Sequence, residues 1–226
     1  MYIAGLKMKI NTQILKLARK ELDRHFLIDL AFTEELHRFM NNAISIEEFL
    51  HSPYGFKKFI ADYGVVRTLK AGDEAKAQIV ATIKDFSFSS SHIETIVSLA
   101  LALKQQELSS KSAAGGCGLP RSFVSKLLYV YKPDEIIPFD SYVGKSLEIR
   151  TGRSLKELHP YYQEAENFRQ KYFPESGAEI KRLREKYHTH LQPAAKKFKL
   201  NPDKLLSWKI TDKYLWCEEW QNKAQL

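Results

Sequence analysis

The sequence predicts a fold that is all-α or nearly all-α. Serine residues followed by glutamate three positions later recur ahead of apolar runs, which is the pattern of the capping boxes that begin helices. The apolar residues recur at three- and four-residue intervals, and the alternation typical of strands is nearly absent. No repeat period indicates a solenoid or a propeller. We therefore expect helices that pack on helices.

A long amphipathic region comes first. Asn11 or Thr12 is a suitable helix N-cap, and an apolar ridge with four-residue spacing follows and reaches Asp29. Two glutamates come directly after Thr33, and acidic residues are favoured in the first turn of a helix. The pattern therefore predicts either a second helix or a kinked continuation from Thr33.

Three or four shorter helices complete the first half of the chain. Ser45 begins a capping box, and residues 54–63 read as a short helix that ends near a glycine. A helix over residues 74–83 follows, and Ser91 begins a further capping box before a wide apolar face. That width predicts a central helix. Residues 109–118 contain almost nothing to bury and are predicted to be a linker.

The second half of the chain continues the helical pattern. Ser154 begins another capping box, and the helix after it is expected to run towards Tyr172, with a kink or a restart at Pro160. A basic helix is predicted over residues 178–190. Asn201 opens the last segment, in which leucines and tryptophans crowd together.

Composition limits the class of protein. With 226 residues, 44% hydrophobic and 27% charged, the chain can bury a core. It has no apolar run that could span a bilayer, and its first residues lack the pattern of a secretory signal. We therefore expect no membrane association and a cytoplasmic or nucleoid-associated protein. The two cysteines and the seven histidines form no metal-ligand spacing, so no metal is predicted.

The net charge is +8 and the pI is about 9.3, which favours a polyanionic partner through counterion release. Four lysines, at positions 196, 197, 199 and 204, add a basic patch. A basic protein without such a partner is equally compatible with charge alone.

A glycine-rich turn precedes the most informative stretch. Gly116 and Gly118 permit backbone conformations that other residues resist, and a turn that opens a helix presents N–H groups to which phosphate can bind. Arg121 and Ser122 follow at the helix start and can add charge and a hydroxyl. The alternative is an ordinary linker and helix start.

Lys126 stands in the middle of the apolar helix that follows. A lysine removed from water binds its proton less tightly and becomes an amine nucleophile. The alternatives are that the Lys126 side chain extends to the surface or that it pairs with an acid.

Asp140 follows a loop bracketed by two prolines and directly precedes a predicted helix. Aspartate is among the best N-caps, so a capping role alone would explain it. A capping carboxylate is also rigidly held and kept ionised, as a group that stabilises positive charge on a sugar must be.

These residues resemble a known family. The turn Gly118–Ser122 with its apolar helix, followed by Pro138, Asp140 and Lys145 in the segment IPFDSYVGK, is similar to the hairpin and catalytic-aspartate block of the helix-hairpin-helix DNA glycosylases, which include endonuclease III and 8-oxoguanine glycosylase. Asp140 lies 18 residues after Ser122, close to the lysine-to-aspartate separation in that family. The resemblance covers residues 115–147.

The resemblance implies a two-lobed all-α domain with a helix-hairpin-helix motif and an active-site cleft between the lobes. It implies a monomer that binds duplex DNA and flips a damaged or modified base into that cleft. Lys126 would attack the anomeric carbon, giving lyase activity through a Schiff base, and Asp140 would stabilise the sugar cation. No organic cofactor is implied, although such proteins hold a monovalent cation at the hairpin with main-chain carbonyls.

The resemblance also assigns contacts. Gly116, Gly118, Arg121, Ser122 and Lys145 would bind the nucleic acid. An aromatic side chain should stack on the extruded base, and the candidates are three tryptophans that could equally belong to the core: Trp208, Trp216 and Trp220. The expected organisation is an N-terminal helical region over 1–110, the hairpin and aspartate block over 111–150, and a C-terminal helical region over 151–226, together one compact unit.

Two positions depart from the family pattern. Pro120 replaces a glycine and lacks an N–H, and Ser122 stands where the family has its lysine. Lys126 lies one helical turn further on the same face. Three alternatives therefore remain. Lys126 is the nucleophile, Asp140 acts with water and without a lysine, or the chain is not a glycosylase.

Two further functions without catalysis stay open. One is a helical DNA-binding protein that uses the hairpin to hold phosphates, and the other is a helical interaction protein without a nucleic-acid role. Only the pI and the motif disfavour the latter.

Overall fold

The computed structural model describes residues 10–89, 91–110, 117–149, 158–172 and 177–224, and over these ranges the prediction of an all-α fold is confirmed. The helices of the first half are α1 Thr12–Met40, α2 Ile46–His51, α3 Phe56–Asp62, α4 Asp73–Asp85 and α5 His92–Gln105. Those of the second half are α6 Arg121–Tyr131, α7 Ser141–Ser146, α8 Leu158–Tyr172, α9 Gly177–Phe198 and α10 Pro202–Ala224. A 3₁₀ turn, Val66–Thr68, follows α3. No strand forms within these ranges, and Leu69 and Ser109 make an isolated antiparallel bridge.

Helix α1 continues through Thr33, so the second helix considered from that residue is wrong and the continuation is correct. The Thr33 hydroxyl lies 2.9 Å from the carbonyl oxygens of both Asp29 and Val130. It is therefore satisfied one turn back along α1 and across to α6, and the chain has no need to leave the helix there. The continuous helix carries one buried ridge along its whole length.

The predicted N-caps are confirmed. Asn11 accepts from backbone N–H groups at the start of α1, and Ser45 and Glu48 form a complete capping box on α2. The box at Ser91 is half formed: the Ser91 hydroxyl accepts from the Glu94 N–H, but the Glu94 carboxylate binds a neighbouring serine hydroxyl instead.

Helices α8 and α9 differ from expectation in detail. Pro160 lies in the first turn of α8, where its missing N–H breaks no helical bond, and it does not divide the helix. The box expected at Ser154 lies outside the described residues. Helix α9 was expected to end near His190 but continues through Pro193, because Leu191 and Ala195 are buried against the core on either side of the proline.

Helices α1 and α10 form the centre of the packing. They pack against each other, α6 packs on α1 and α5, and α7 and α9 pack on α10. One connected core contains residues from α1 through α10, with Phe26, Phe39 and Phe123 fully buried. The division into lobes and into three regions stays a prediction. Within the described ranges, no helix is both long and apolar enough to cross a membrane.

Candidate functional site

Helix α6 places Lys126 at the edge of the core. Eight residues of α6 are buried, which confirms the prediction of a buried helix. The Lys126 side chain remains 14% exposed, and its ammonium group donates a 2.9 Å hydrogen bond to the carbonyl oxygen of Tyr63. The lysine is therefore partly withdrawn from water and held at its tip.

The carbonyl that holds Lys126 is free because a helix ends there. Tyr63 is the C-cap of α3, and the carbonyls of a last turn have no partner inside the helix. Gly64 follows with φ 65°, a conformation that favours glycine, and turns the chain away. The unused Tyr63 oxygen is thus left to face α6.

Asp140 is held on both sides. One carboxylate oxygen accepts from the Tyr142 N–H at 2.8 Å and caps α7, as predicted. The segment before it is fixed by two neighbours: the Phe139 N–H donates to the buried Ser125 hydroxyl at 2.9 Å, and the Asp140 N–H donates to the Tyr161 hydroxyl at 3.1 Å. This leaves the second carboxylate oxygen to point at α6.

The structure brings the two predicted catalytic residues together. The Lys126 Nζ lies 3.6 Å from Asp140 Oδ2, and the Asp140 side chain is 21% exposed. We call these two residues the cleft pair, because both border two open depressions. Neither the pairing nor the shared opening follows from Asp140 being a helix cap, so capping alone does not account for the site.

The first depression, the central cleft, has a volume of about 440 Å³. The cleft pair lines it together with further charged side chains, among them Lys58 and Asp62. Four aromatic residues also line it: Phe32, Tyr63, Tyr129 and Trp216. The second depression, the outer cleft, has a volume of about 580 Å³ and includes Arg67, Arg121 and Ser122. Lys126, Asp140 and Trp216 line both.

A buried ion pair lies behind the central cleft. The Lys209 ammonium lies 2.6 Å from one oxygen of Asp29, and the Tyr63 hydroxyl donates to the other at 2.5 Å. Lys209 is also 3.6 Å from the centre of the Tyr129 ring. Burial alone would raise the pKa of Asp29, but Lys209, Lys213 and the Tyr63 hydroxyl outweigh it and hold that pKa below its usual 3.8.

A further pair lies on the floor of the central cleft. The Lys213 Nζ is 3.3 Å from an oxygen of Asp212, and the Tyr129 hydroxyl approaches the same oxygen at 3.5 Å. Burial raises the pKa of the Asp212 carboxyl, Asp140 adds to the rise, and Lys213 opposes it. Asp140 and Asp212 are therefore close enough to act on each other.

The Gly118 N–H of the glycine turn is not open to a phosphate. Gly116 lies outside the described residues. The Gly118 N–H donates to the Ser110 carbonyl at 3.0 Å, and the Gly118 carbonyl accepts from the Ser109 hydroxyl at 2.7 Å. Gly118 is therefore used inside the protein, and the monovalent cation expected at this turn stays a prediction.

The charged residues assigned to nucleic-acid contact are placed differently from one another. Arg121 is only 7% exposed, and its guanidinium stacks 5.3 Å from the centre of the Phe139 ring at the outer cleft. Ser122 lines the same cleft. Lys145 is well exposed on α7 and pairs with Glu219 at 3.5 Å.

The three tryptophans differ in exposure and in their position relative to the clefts. Trp208 is 3% exposed in the core and borders neither cleft, because its ring packs with Arg169 between α8 and α10. Its assignment as a stacking residue is therefore not supported by its position. Trp216 lines both clefts and stacks on Tyr142, with ring centres 5.7 Å apart. Trp220 is 48% exposed and lies nearly parallel to Trp216.

The sequence interpretation missed Lys209, Asp212 and Lys213. A signal was present, since these charged residues interrupt the apolar run of the last helix and, with Trp216, have the spacing of one helix face. Asp29 gave the same kind of signal on the apolar ridge of α1. Charged residues on a buried face need partners, and here the partners are each other.

Among the residues that the structure describes, no cluster of three or more metal-ligand side chains could hold a metal ion. Comparison of the chain with protein-family models, with curated proteins and with solved structures found no match. We therefore base the function on the chemistry of the two clefts.

Proposed function

We propose that this protein is a DNA glycosylase that excises a damaged or modified base from duplex DNA. Lys126 is the amine nucleophile, and Asp140 is the carboxylate that stabilises positive charge on the sugar. The observation that carries the proposal is the cleft pair, whose nitrogen and oxygen lie 3.6 Å apart where two clefts meet.

The central cleft suits an extruded base. Its volume lies within the range of about 300–1,000 Å³ that is usual for small-molecule sites. Aromatic walls offer stacking surface, which is available to every base because every base has a π face. Trp216 is the stacking residue that we favour, because it is partly exposed and borders the cleft pair.

The outer cleft suits the strand from which the base is turned out. Arg67 is exposed on the 3₁₀ turn at its rim, and hydroxyl groups of Ser122 and Ser141 add hydrogen-bond donors. Arginine and hydroxyl side chains are common partners of phosphate oxygens. The net charge of +8 supports a polyanionic substrate.

The chemistry follows from the two side chains. Lys126 attacks as a neutral amine, so its ammonium first loses a proton, and the carboxylate of Asp140 is near enough to relay that proton to water. The nitrogen lone pair then bonds to C1′ while the bond from C1′ to the base breaks. During this step Asp140, held in place as the α7 cap, faces the positive charge that develops on the sugar.

The resemblance to helix-hairpin-helix glycosylases belongs to this proposal. Lys126 reaches the aspartate from one helical turn beyond the serine at the usual lysine position. The alternative of a non-catalytic protein that grips phosphate with the hairpin is weaker, because the Gly118 N–H is already bound within the protein.

The test is borohydride trapping on duplexes that carry single lesions. We expect the wild type to form a covalent adduct, and Lys126→Met to form none. Asp140→Asn should lower the rate by at least about 100-fold, a typical effect of removing a group that stabilises transition-state charge. Lys104→Met, which changes an exposed lysine of α5, is the matched control and should trap normally.

Two results would contradict parts of the proposal. Base release without any adduct would remove Lys126 as nucleophile and leave Asp140 acting with water. The absence of base release from every lesion, by a folded wild type that still binds DNA, would favour the non-catalytic alternative.

A further inference from the structure

A second lysine opens into the central cleft. Lys213 lines it together with Asp212, and their charged atoms are 3.3 Å apart. The Lys213 side chain is 20% exposed, whereas that of Asp212 is 7% exposed. The Lys213 ammonium therefore faces the cleft, whereas the Asp212 carboxylate that binds it is buried in the core.

Helix α10 directs this lysine towards the same space as the cleft pair. Lys209, Asp212, Lys213 and Trp216 recur at the spacing of one helix face, and that face lies against α1 and α6. The Lys209 ammonium is bound in the buried ion pair with Asp29. Lys213 is thus the α10 cation that reaches the cleft.

The surroundings keep Lys213 charged. Burial lowers the pKa of Lys213, but the nearby carboxylates of Asp212 and Asp29 outweigh burial and raise that pKa above its usual 10.5. A lysine of this kind is a poor nucleophile at neutral pH and a good fixed ammonium. Lys213 is therefore suited to remain a charged ammonium, whereas Lys126 is proposed to react as a neutral amine.

We propose that Lys213 is the catalytic group that takes up the negative charge of the departing base, so that the central cleft has a sugar side at Lys126 and Asp140 and a base side at Lys213. This assignment rests on the proposed glycosylase function and names a substrate class. The preferred bases are those that leave as anions, such as oxidised or deaminated bases.

The bond between C1′ and the base nitrogen breaks, and its electron pair goes to the base. The base leaves as an anion that pairs with the Lys213 ammonium, and that ammonium keeps its proton. The Lys126 amine bonds to C1′ and gives one proton to water, and the released base takes one proton from water.

The experiment compares leaving groups under single-turnover conditions. Duplexes carry 8-oxoguanine, uracil, hypoxanthine or N7-methylguanine, the last of which leaves as a neutral base because it is already cationic. We expect Lys213→Met to slow release of the first three bases by about 100-fold or more, the usual contribution of a fixed group that stabilises developing charge. Release of N7-methylguanine should change by less than about threefold, and Lys213→Arg should restore part of the loss since it restores the charge.

The outcomes separate this inference from the proposed function. An equal loss on all four bases, or no loss on any, with an active wild type would overturn the role of Lys213 and leave the glycosylase proposal intact. Wild-type release confined to N7-methylguanine would also overturn it, because that base needs no cation in order to leave. No release by the wild type would overturn both. If Lys213→Met does not fold, Lys213→Gln, which removes the charge but stays polar, gives the same decision from the ratio of the uracil rate to the N7-methylguanine rate: a fall in that ratio supports the role, and an unchanged ratio contradicts it.

Discussion

Two lysine–aspartate pairs in this protein use the same side chains in different surroundings. In the cleft pair, Lys126 and Asp140 are 14% and 21% exposed and their charged atoms are 3.6 Å apart. In the buried pair, Lys209 and Asp29 are 1% and 7% exposed and 2.6 Å apart. The shorter contact is thus the one whose two side chains are almost fully buried.

The two pairs have similar numbers of partners and differ in how closely the charged atoms approach. Asp29 accepts from Lys209 and from the Tyr63 hydroxyl, and Lys209 also lies over the Tyr129 ring. The Lys126 ammonium donates to the Tyr63 carbonyl, and its contact with Asp140 is long, at 3.6 Å. We infer that a short, buried pair fixes structure, whereas a long, partly exposed pair beside a cleft leaves its charged atoms open to a ligand.

Tyr63 connects the two pairs. Its carbonyl holds Lys126, and its hydroxyl donates to Asp29. The buried pair therefore positions the residue that holds the amine proposed as the nucleophile.

The largest expected change in stability comes from removing one partner of the buried pair. Lys209→Met leaves Asp29 as a buried charge without its cation, and we expect a loss of about 3–5 kcal/mol in the free energy of unfolding. Lys126→Met should cost clearly less, because its partner can be solvated from the cleft. Urea unfolding of both variants measures the difference.

A double variant provides the control for that result. Asp29→Asn combined with Lys209→Met removes both charges, so the destabilisation should be smaller than for Lys209→Met alone. Equal stability of the wild type and Lys209→Met would show that the buried pair contributes nothing, and the contrast between the two pairs would fail.

The cleft pair could be predicted from sequence because its signals are local. Lys126 interrupts an apolar helix, and Asp140 directly precedes another helix in a recognisable segment. Their distance could not be predicted, since it depends on how Ser125 and Tyr161 fix the chain before Asp140. The all-helical class likewise followed from periodicity and caps.

The buried pair could not be predicted because its partners lie far apart in the chain. Asp29 and Lys209 are separated by 180 positions and meet only when α1 packs on α10. The use of the Gly118 N–H could not be predicted for a related reason: its partner is the Ser110 carbonyl, in a local pairing that glycine content does not specify.

A smaller effect is expected from Tyr63→Phe, which separates the two roles of that residue. The change removes the hydroxyl bond to Asp29 and leaves the carbonyl that holds Lys126. We expect a loss of about 1.5–3 kcal/mol in unfolding free energy, the range for hydrogen bonds to charged groups. Borohydride trapping by the folded variant should continue at a similar rate. A variant of normal stability that no longer traps would place the tyrosine hydroxyl in the reaction instead.

The smallest expected effect is a loss of stability in acid that belongs to the buried pair. The pKa of Asp29 is held below its usual 3.8 in the folded protein, so the folded state binds this proton less readily than the unfolded state. The stabilisation is fully present above the unfolded pKa and is lost as the pH falls through the folded one. Unfolding free energies of the wild type should therefore fall more steeply below about pH 4 than those of Asp29→Asn.

A histidine gives that measurement an internal reference. Burial lowers the pKa of His37 below its usual 6.5, so stability should also decline as the pH falls below 6.5, and it should do so equally in the wild type and in Asp29→Asn. Burial lowers the pKa of His92 in the same way, so His37→Gln should reduce this upper decline and leave the lower one. If Asp29→Asn instead removed the decline near pH 6.5 and retained the decline below pH 4, the loss of stability in acid would come from groups other than Asp29. That result would contradict the interpretation of Asp29 and Lys209 as an ion pair.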